Sequence, residues 1–493
     1  MSYVLAIDQG TSSTKSIIFD DQGCAISKGS VALKTSYLED GFVEQEAEAI
    51  YQNVLDSARL CLDAFVKGGG DLKQIVCCGI SNQRETFVLW DEKGKPLYNA
   101  VVWQCKRSVG VCKALDSRGL GSKINERTGL IIDPYFSGSK VIWLYQNCPE
   151  IKEKIDNGQA YFGNIDTWLL FKLTKGKSYF TDYTNASRTL FFNLYELKWD
   201  ADLLSDFGLS NLRLPEVKPS SYDFGMTDLG GLLTSEISVS SMIGDSHAAA
   251  FGEGCFEPGS AKATLGTGSS ILMNVGSTPK ASENGMVTTI CWSTEDRIDF
   301  ALEGIIVSAG ATIEWIKNQL QLFENTSELE DICRSIESTA GVYVVPAFSG
   351  LGAPHWDMTR KASIEGLTFD STKNHVIRAS VESIPYQIKD VIVAMESDSG
   401  TPLLELKIDG GITSNKFVVQ FLADLLGQNV TNIEIADVSA MGAGYLAGLK
   451  SGVYKSLEQL KTFNLNSTTT EPSEVKAQVA KLYNGWQSVI SKK

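Results

Sequence analysis

The sequence predicts an α/β protein made of two similar domains that together grip a polyphosphate. Two observations carry this. A glycine-threonine turn between short apolar runs occurs twice, once in each half, and strands alternate with amphipathic helices along the 493 residues. The first copy is Val4-Leu5-Ala6-Ile7, then Asp8-Gln9-Gly10-Thr11-Ser12-Ser13-Thr14-Lys15, then Ile17-Ile18-Phe19. The second is Ala263-Thr264-Leu265, then Gly266-Thr267-Gly268-Ser269-Ser270, then Ile271-Leu272-Met273. Each reads as strand, tight turn, strand. Glycine permits positive φ, which lets backbone N–H groups turn toward an anion, and the hydroxyls add donors.

The elements follow in order. The opening reads as a meander over residues 4–7, 15–19 and 24–31, with Asp20-Asp21-Gln22-Gly23 turning between the last two. Ala47, Ile50, Val54, Ala58, Cys61 and Phe65 share one face at helical spacing, and Gly68-Gly69-Gly70 ends that helix. A buried strand resumes at 75–80. Strands then alternate with helices to about residue 250, as in a sheet covered on both faces. The second half restarts near Gly259. Helices are expected at 307–320 and 375–395, the latter interrupted or kinked by Pro385, with strands at 341–345 and 404–408. Asp409-Gly410-Gly411 then leads to a helix containing Phe417, Phe421, Leu422 and Leu425, capped by Ser414 or Asn415. The segment 252–259 is the expected boundary, giving domains 1–253 and 254–493.

Composition narrows the function. The chain is 43% hydrophobic and 21% charged, ordinary for a globular protein. A formal net charge of −15 argues against nucleic-acid or anionic-membrane binding. Residues 1–4 show no basic leader, and no apolar run approaches the ~20 residues that cross a bilayer. Ten scattered cysteines without a Cys-x-x-Cys pair suit a reduced, cytoplasmic protein. His247, His355 and His375 are the only histidines and lack zinc-ligand spacing.

Several residues carry chemistry. Asp8, at the end of the first strand, either holds Mg²⁺ or bonds turn amides. Lys15 offers an ammonium to phosphate or is a solvated lysine. Gly410-Gly411 would let an adenosine lie against bare backbone, with Asn415 beside it. Arg84 and Glu85 in Ser81-Asn82-Gln83-Arg84-Glu85-Thr86 offer donors and acceptors suited to adjacent hydroxyls; the alternative is a surface ion pair worth ~0–1 kcal/mol. Trp103 either covers the C–H face of a polyol or belongs to the core. Asp245 in Gly244-Asp245-Ser246-His247 is either a base for an attacking hydroxyl or a helix N-cap.

Together these motifs resemble the FGGY carbohydrate kinases, and within them the glycerol kinases, nearly end to end. The most specific segments are Asn82-Gln83-Arg84-Glu85-Thr86, Asn99-Ala100-Val101-Val102-Trp103-Gln104-Cys105 and Ile131-Ile132-Asp133-Pro134-Tyr135-Phe136-Ser137-Gly138. Asp182-Tyr183-Thr184-Asn185-Ala186-Ser187-Arg188 and the run from Val344 to Pro354 are similarly telling. The resemblance implies two actin-like, ribonuclease-H-like domains with an interdomain cleft that closes on MgATP and a polyol. By carry-over, Asp245 is the general base and Asp8 the magnesium-associated carboxylate. Arg84, Glu85, Trp103, Tyr135, Asp245 and Ser246 hold the polyol. Thr11, Ser12, Ser13, Lys15, Gly266, Thr267, Gly310, Glu314, Gly411 and Asn415 serve the nucleotide.

The chain departs from the glycerol kinase pattern at four places. Ser246 stands where glutamine is usual, Ser270 where an aromatic is usual, Lys15 for arginine and Glu314 for glutamine. Losing the aromatic cover removes burial worth ~2 kcal/mol and leaves a wider, more polar pocket. The implied reaction is ATP-dependent phosphorylation of a terminal hydroxyl of glycerol. A tetritol, pentitol or ketopentose is the alternative substrate, and an actin-like ATPase without polyol transfer the lesser one. Relatives of this kind often form homodimers or homotetramers. Residues 230–236 lack the arginine and the histidine through which some relatives are regulated, so neither control is expected.

Overall fold

The computed structural model describes residues 2–435, 437–463 and 466–492. It is organised by two large sheets. In the first, β1 (Tyr3–Gln9), β2 (Ser13–Phe19) and β3 (Ala25–Ala32) form an antiparallel meander. β4 (Ile75–Asn82) lies parallel beside β1, and beyond it come β6 (Ile237–Gly244) and the short edge β5 (Met226–Thr227). The strand order is β5-β6-β4-β1-β2-β3. Helix α1 (Ala47–Lys67) covers one face with the six apolar residues that its periodicity picks out, all buried.

The second sheet repeats the plan. β7 (Ser260–Leu265) and β8 (Ser269–Gly276) form the hairpin, flanked by β10 (Ile298–Ile306) and the edge β9 (Val287–Ser293). On the other side β11 (Glu405–Asp409) and β12 (Val430–Ile433) run parallel to β7, closed by antiparallel β13 (Ser467–Thr470). In each sheet the hairpin's first strand pairs with a parallel neighbour. Asp8 faces Ser81 in one register and Thr264 faces Asp409 in the other. Binding residues therefore gather at carboxyl ends of parallel strands, where open α/β sheets bind ligands. A smaller five-stranded sheet, which includes Phe87–Trp90, Ala100–Val101 and Tyr161–Asn164, carries Trp103 at its margin.

Helices α2 (Asp245–Gly252), α3 (Gly310–Asn318), α4 (Lys373–Ser399), α5 (Lys416–Leu426) and α6 (Val438–Lys450) complete the parts used below. Two expectations change. α3 begins at Gly310 rather than 307, because the Ala309 and Gly310 N–H groups donate to the Thr267 and Gly266 carbonyls (2.9 Å each) and hold the preceding residues against the hairpin. α4 runs unbroken through Pro385, since the flanking Ile384, Tyr386 and Ile388 are fully buried and tertiary packing outweighs one lost backbone bond.

Helix α6 comes late in the chain yet packs on the first sheet, against β1, β4 and β6, and crosses α2 at glycines. A Cβ on Gly442 would lie 1.8 Å from the Ala248 carbonyl oxygen, and one on Gly252 2.6 Å from that of Val438. Both neighbours are backbone, so neither can swing aside. Replacing Gly442 with alanine is expected to force the helices apart and destabilise the protein by about 2–3 kcal/mol, the scale of an overpacked core. Thermal unfolding checks this; an unchanged melting temperature would show that the crossing can yield.

Candidate active site

The first hairpin closes with the Gly10 N–H donating to the Ser13 carbonyl at 3.0 Å. Ser12 is exposed and Ser13 half-buried, and among the described residues neither hydroxyl has a hydrogen-bond partner, which leaves both open to a ligand. Thr11 faces the other way. Its hydroxyl accepts from the Trp103 indole N–H at 3.0 Å and donates to Gln83 Oε1 at 3.2 Å, tying the hairpin to the segment around Trp103. Lys15 pairs with Asp437 just before α6 (3.0 Å), which also takes Lys28 at 2.5 Å. Asp8 accepts from Ser81 Oγ at 3.0 Å. Burial, with Asp245 adding repulsion, pushes the Asp8 carboxyl up to about 6.

The second hairpin opens onto a cavity of about 440 Å³. Six of the residues assigned to the nucleotide line it together: Gly266, Thr267, Gly310, Glu314, Gly411 and Asn415. Ile313, Val381, Ile384 and Val418 make its walls apolar. A Cβ on Gly310 would approach the Gly266 carbonyl at 2.7 Å, so this turn must stay bare. Asn415, not Ser414, caps α5: its side-chain oxygen accepts from the Phe417 and Val418 N–H groups, leaving the amide nitrogen for a ligand. Apolar walls with a few convergent polar groups suit a nucleoside. Thr11, Ser12, Ser13 and Lys15 lie outside this cavity, on the facing hairpin.

Between the hairpins lies a charged cluster. Asp245 is the first residue of α2, and Gly244 rather than Asp245 is the N-cap. Its Oδ1 accepts from the Ser246 N–H at 2.7 Å and stands 3.3 Å from Arg84 Nε. Arg84 and Glu85 are both buried and turn to different partners, so they are not a surface pair. Arg84 Nη2 donates to Glu303 Oε1 at 2.8 Å, while Glu85 receives Arg188 Nε at 2.6 Å. Glu85 holds φ +59, a left-handed conformation that costs a non-glycine residue about 1–3 kcal/mol and that collects at functional sites. Trp103 and Tyr135 meet edge to face with centroids 5.6 Å apart. Ser246 Oγ is 3.4 Å from Ser270 Oγ, linking α2 to the second hairpin. His247 is fully buried; burial and Arg84 hold its pKa well below the usual imidazole value, consistent with a supporting rather than a catalytic place.

The arrangement can bind a triphosphate against one hairpin, its nucleoside against the other, and a hydroxyl compound beside a carboxylate. Comparison with known proteins gives this a lineage. The model of the FGGY family of carbohydrate kinases matches residues 3–252 with its N-terminal domain and 261–451 with its C-terminal domain. The chain belongs to the FGGY family of carbohydrate kinases. It is 44% identical over 492 residues to a glycerol kinase of a Thermoanaerobacter species, covering 99% of this chain and 98% of that one. A protein named glycerol kinase 1 from Clostridium tetani is 43% identical over 491 residues, with the same coverage. Among solved structures, Plasmodium falciparum glycerol kinase with ADP superposes with a TM-score of 0.94 at 35% identity, covering 99% of this chain and 98% of that chain. A xylulose kinase from Lactobacillus acidophilus shares the fold with a TM-score of 0.89 at 20% identity, covering 100% of this chain and 99% of that chain.

In this FGGY kinase three charged residues at the site escape sequence reasoning as site residues: Arg188, Glu303 and Asp437. One signal was available. Glu303 interrupts Phe300-Ala301-Leu302-Glu303-Gly304-Ile305-Ile306, and a charge inside an apolar strand must find a partner. No helix among the described residues is long and apolar enough to cross a membrane. None of them forms a cluster of three or more His, Cys, Asp or Glu side chains able to hold a metal alone.

Proposed function

We propose that this chain transfers the γ-phosphoryl group of ATP to a terminal hydroxyl of glycerol, giving glycerol 3-phosphate and ADP. One observation carries it: Asp245 stands beside buried Arg84, near Asp8 and between the two hairpins, in a chain 44% identical over nearly its whole length to a protein named glycerol kinase. In this reading Arg84, Glu85, Trp103, Tyr135 and Ser246 orient the polyol. Asp245 takes the hydroxyl proton as that oxygen bonds to the γ-phosphorus; the bond to the β-phosphate oxygen breaks, and ADP carries away the electron pair. The Ser12 and Ser13 hydroxyls, the hairpin N–H groups and Lys15 hold the phosphates. Thr11, whose hydroxyl is tied to Trp103 and Gln83, serves the nucleotide from the same turn. Gly266, Thr267, Gly310, Glu314, Gly411 and Asn415 hold the adenosine.

The residues present fit Mg²⁺. Asp8 keeps one carboxylate oxygen free of hydrogen bonds and lies close enough to Asp245 to be repelled by it, a situation that a cation relieves. Magnesium is commonly held through one or two carboxylates together with substrate phosphates, so the want of a larger ligand cluster is no obstacle. When bound it would neutralise phosphate charge; Asp8 would hold it. The reading also takes 1–253 and 254–493 as the two domains, and the protein as a cytoplasmic homodimer or homotetramer, which sedimentation velocity tests.

A second substrate reading has its own support. Ser246 and Ser270 place two small hydroxyl side chains together where larger ones would narrow the pocket. The deciding experiment is ADP release with MgATP across glycerol, erythritol, the pentitols, xylulose and ribulose. Glycerol is expected to give the highest kcat/KM, by about tenfold or more, a gap of ~1.4 kcal/mol in transition-state binding. A preference for a longer polyol or ketose would replace glycerol and make the two serines its determinants. ATP turnover independent of any polyol would overturn the kinase reading.

A further inference from the structure

The second sheet sends one carboxylate into the substrate half of the site. Glu303, on β10, is buried, and so are the two guanidinium groups on either side of it. Its Oε1 accepts from Arg84 Nη2 at 2.8 Å and from Ser270 Oγ at 3.1 Å, and its Oε2 lies 2.6 Å from Arg188 Nη1. Although burial works the other way, Arg188 and Arg84 hold its carboxyl well below the usual carboxylate range, so it stays charged. Arg84 in turn reaches Asp245 with Nε, and Arg188 reaches Glu85. Two arginines are thus held apart and in place by a single carboxylate that comes from the other half of the molecule.

We propose that Glu303 is a positioning residue for phosphoryl transfer, holding Arg84 at the substrate site and, with Ser270, contributing from the nucleotide half to a pocket built mainly by the first half. The proposal rests on the reading of Asp245 as the base. Charge supports it: with Glu303 on Nη2, part of the Arg84 charge beside Asp245 is already neutralised. The hydrogen bonding supports it too. Arg84 Nη1 and Arg188 Nη2 are buried donors without a partner among the described residues. Each retains hydrogen-bonding capacity beside the groups assigned to the polyol, and a buried donor left without a partner is costly.

The test uses the full chain with Glu303→Gln and Glu303→Asp, scored by polyol KM, kcat, ADP affinity by calorimetry, and melting temperature. Glu303→Gln keeps the shape and removes the charge. It is expected to raise polyol KM by about 10–100-fold, the loss typical of breaking a buried charge pair, with ADP affinity changed less than about twofold. Glu303→Asp keeps the charge and is expected to recover at least half of that loss on a logarithmic scale. Polyol KM within about twofold of wild type in both variants overturns the proposal, as does a parallel loss of ADP affinity, which marks a purely structural role. If Glu303→Gln does not fold, Glu303→Asp decides alone: a KM raised about threefold or more supports positioning, and an unchanged KM refutes it. Asp245→Asn, run alongside, keeps the two readings separate. Near-normal turnover there removes the base assignment whatever Glu303 does to KM.

Discussion

Asp245→Asn is expected to lower kcat by about 10²–10⁴-fold, the usual worth of a positioned general base, while leaving polyol and ADP binding within a few-fold. The geometry makes the comparison clean. Asparagine is nearly the same size, and its oxygen can still accept from the Ser246 N–H and face Arg84 Nε. The backbone carbonyl of residue 245, which accepts from Ser439 Oγ at 3.0 Å, is untouched, so the link between α2 and α6 remains. Only the capacity to take a proton disappears. Steady-state ADP release, with binding measured separately, reads the result; turnover within about tenfold of wild type would mean that the proton goes elsewhere.

Asp8→Asn is expected to move activity and stability in opposite directions. In the metal-free protein, folding raises this carboxyl from near 3.8 to about 6, through burial first and then Asp245. A folded-state pKa above the unfolded value means that its contribution to stability is fully present below about pH 4 and is lost as pH rises through about 6. At pH 7.5 the ionised carboxylate therefore costs the apo protein on the order of 3 kcal/mol, which asparagine removes. The variant should melt higher than wild type at pH 7.5 in chelator, and the two should converge near pH 4. Its turnover should fall by about 10²-fold or more if Asp8 holds magnesium against the phosphates as proposed. A variant that melts lower across this range would show that Asp8 is stabilised as the anion by contacts other than a cation.

What could be read from the sequence divides by distance along the chain. The hairpins and the buried face of α1 depend on residues within a few positions of one another, and local periodicity reports them directly. The boundaries that moved did so for non-local reasons: α3 starts late because hairpin carbonyls capture its first N–H groups, and α4 absorbs Pro385 because its surroundings are packed. The same holds at the site. Six nucleotide residues, some read from local motifs and others, such as Gly310 and Glu314, only from the family resemblance, line one cavity. Yet the partner of Arg84 lies 219 positions away, and that of Lys15 sits beside α6 near the far end. Ion pairs of that span leave no periodic trace. Glu303 could be flagged as a charge in an apolar strand, but not matched to Arg84 and Arg188.

The glycine crossing of α2 and α6 also bears on how the protein is made. Val4, Ala6, Ile17, Phe19 and Cys77 of the first sheet share a buried cluster with Ala443, Leu446 and Ala447 of α6. As the chain leaves the ribosome, that face of the first sheet is complete in sequence by about residue 244 but lacks its cover until α6 emerges. At about 5–20 residues per second the wait is on the order of ten seconds or more. For that interval the nascent chain presents an apolar sheet face that only a chaperone or a neighbouring polypeptide can shield. A fragment ending near residue 253 would carry the same bare face permanently and is expected to aggregate, which light scattering would read.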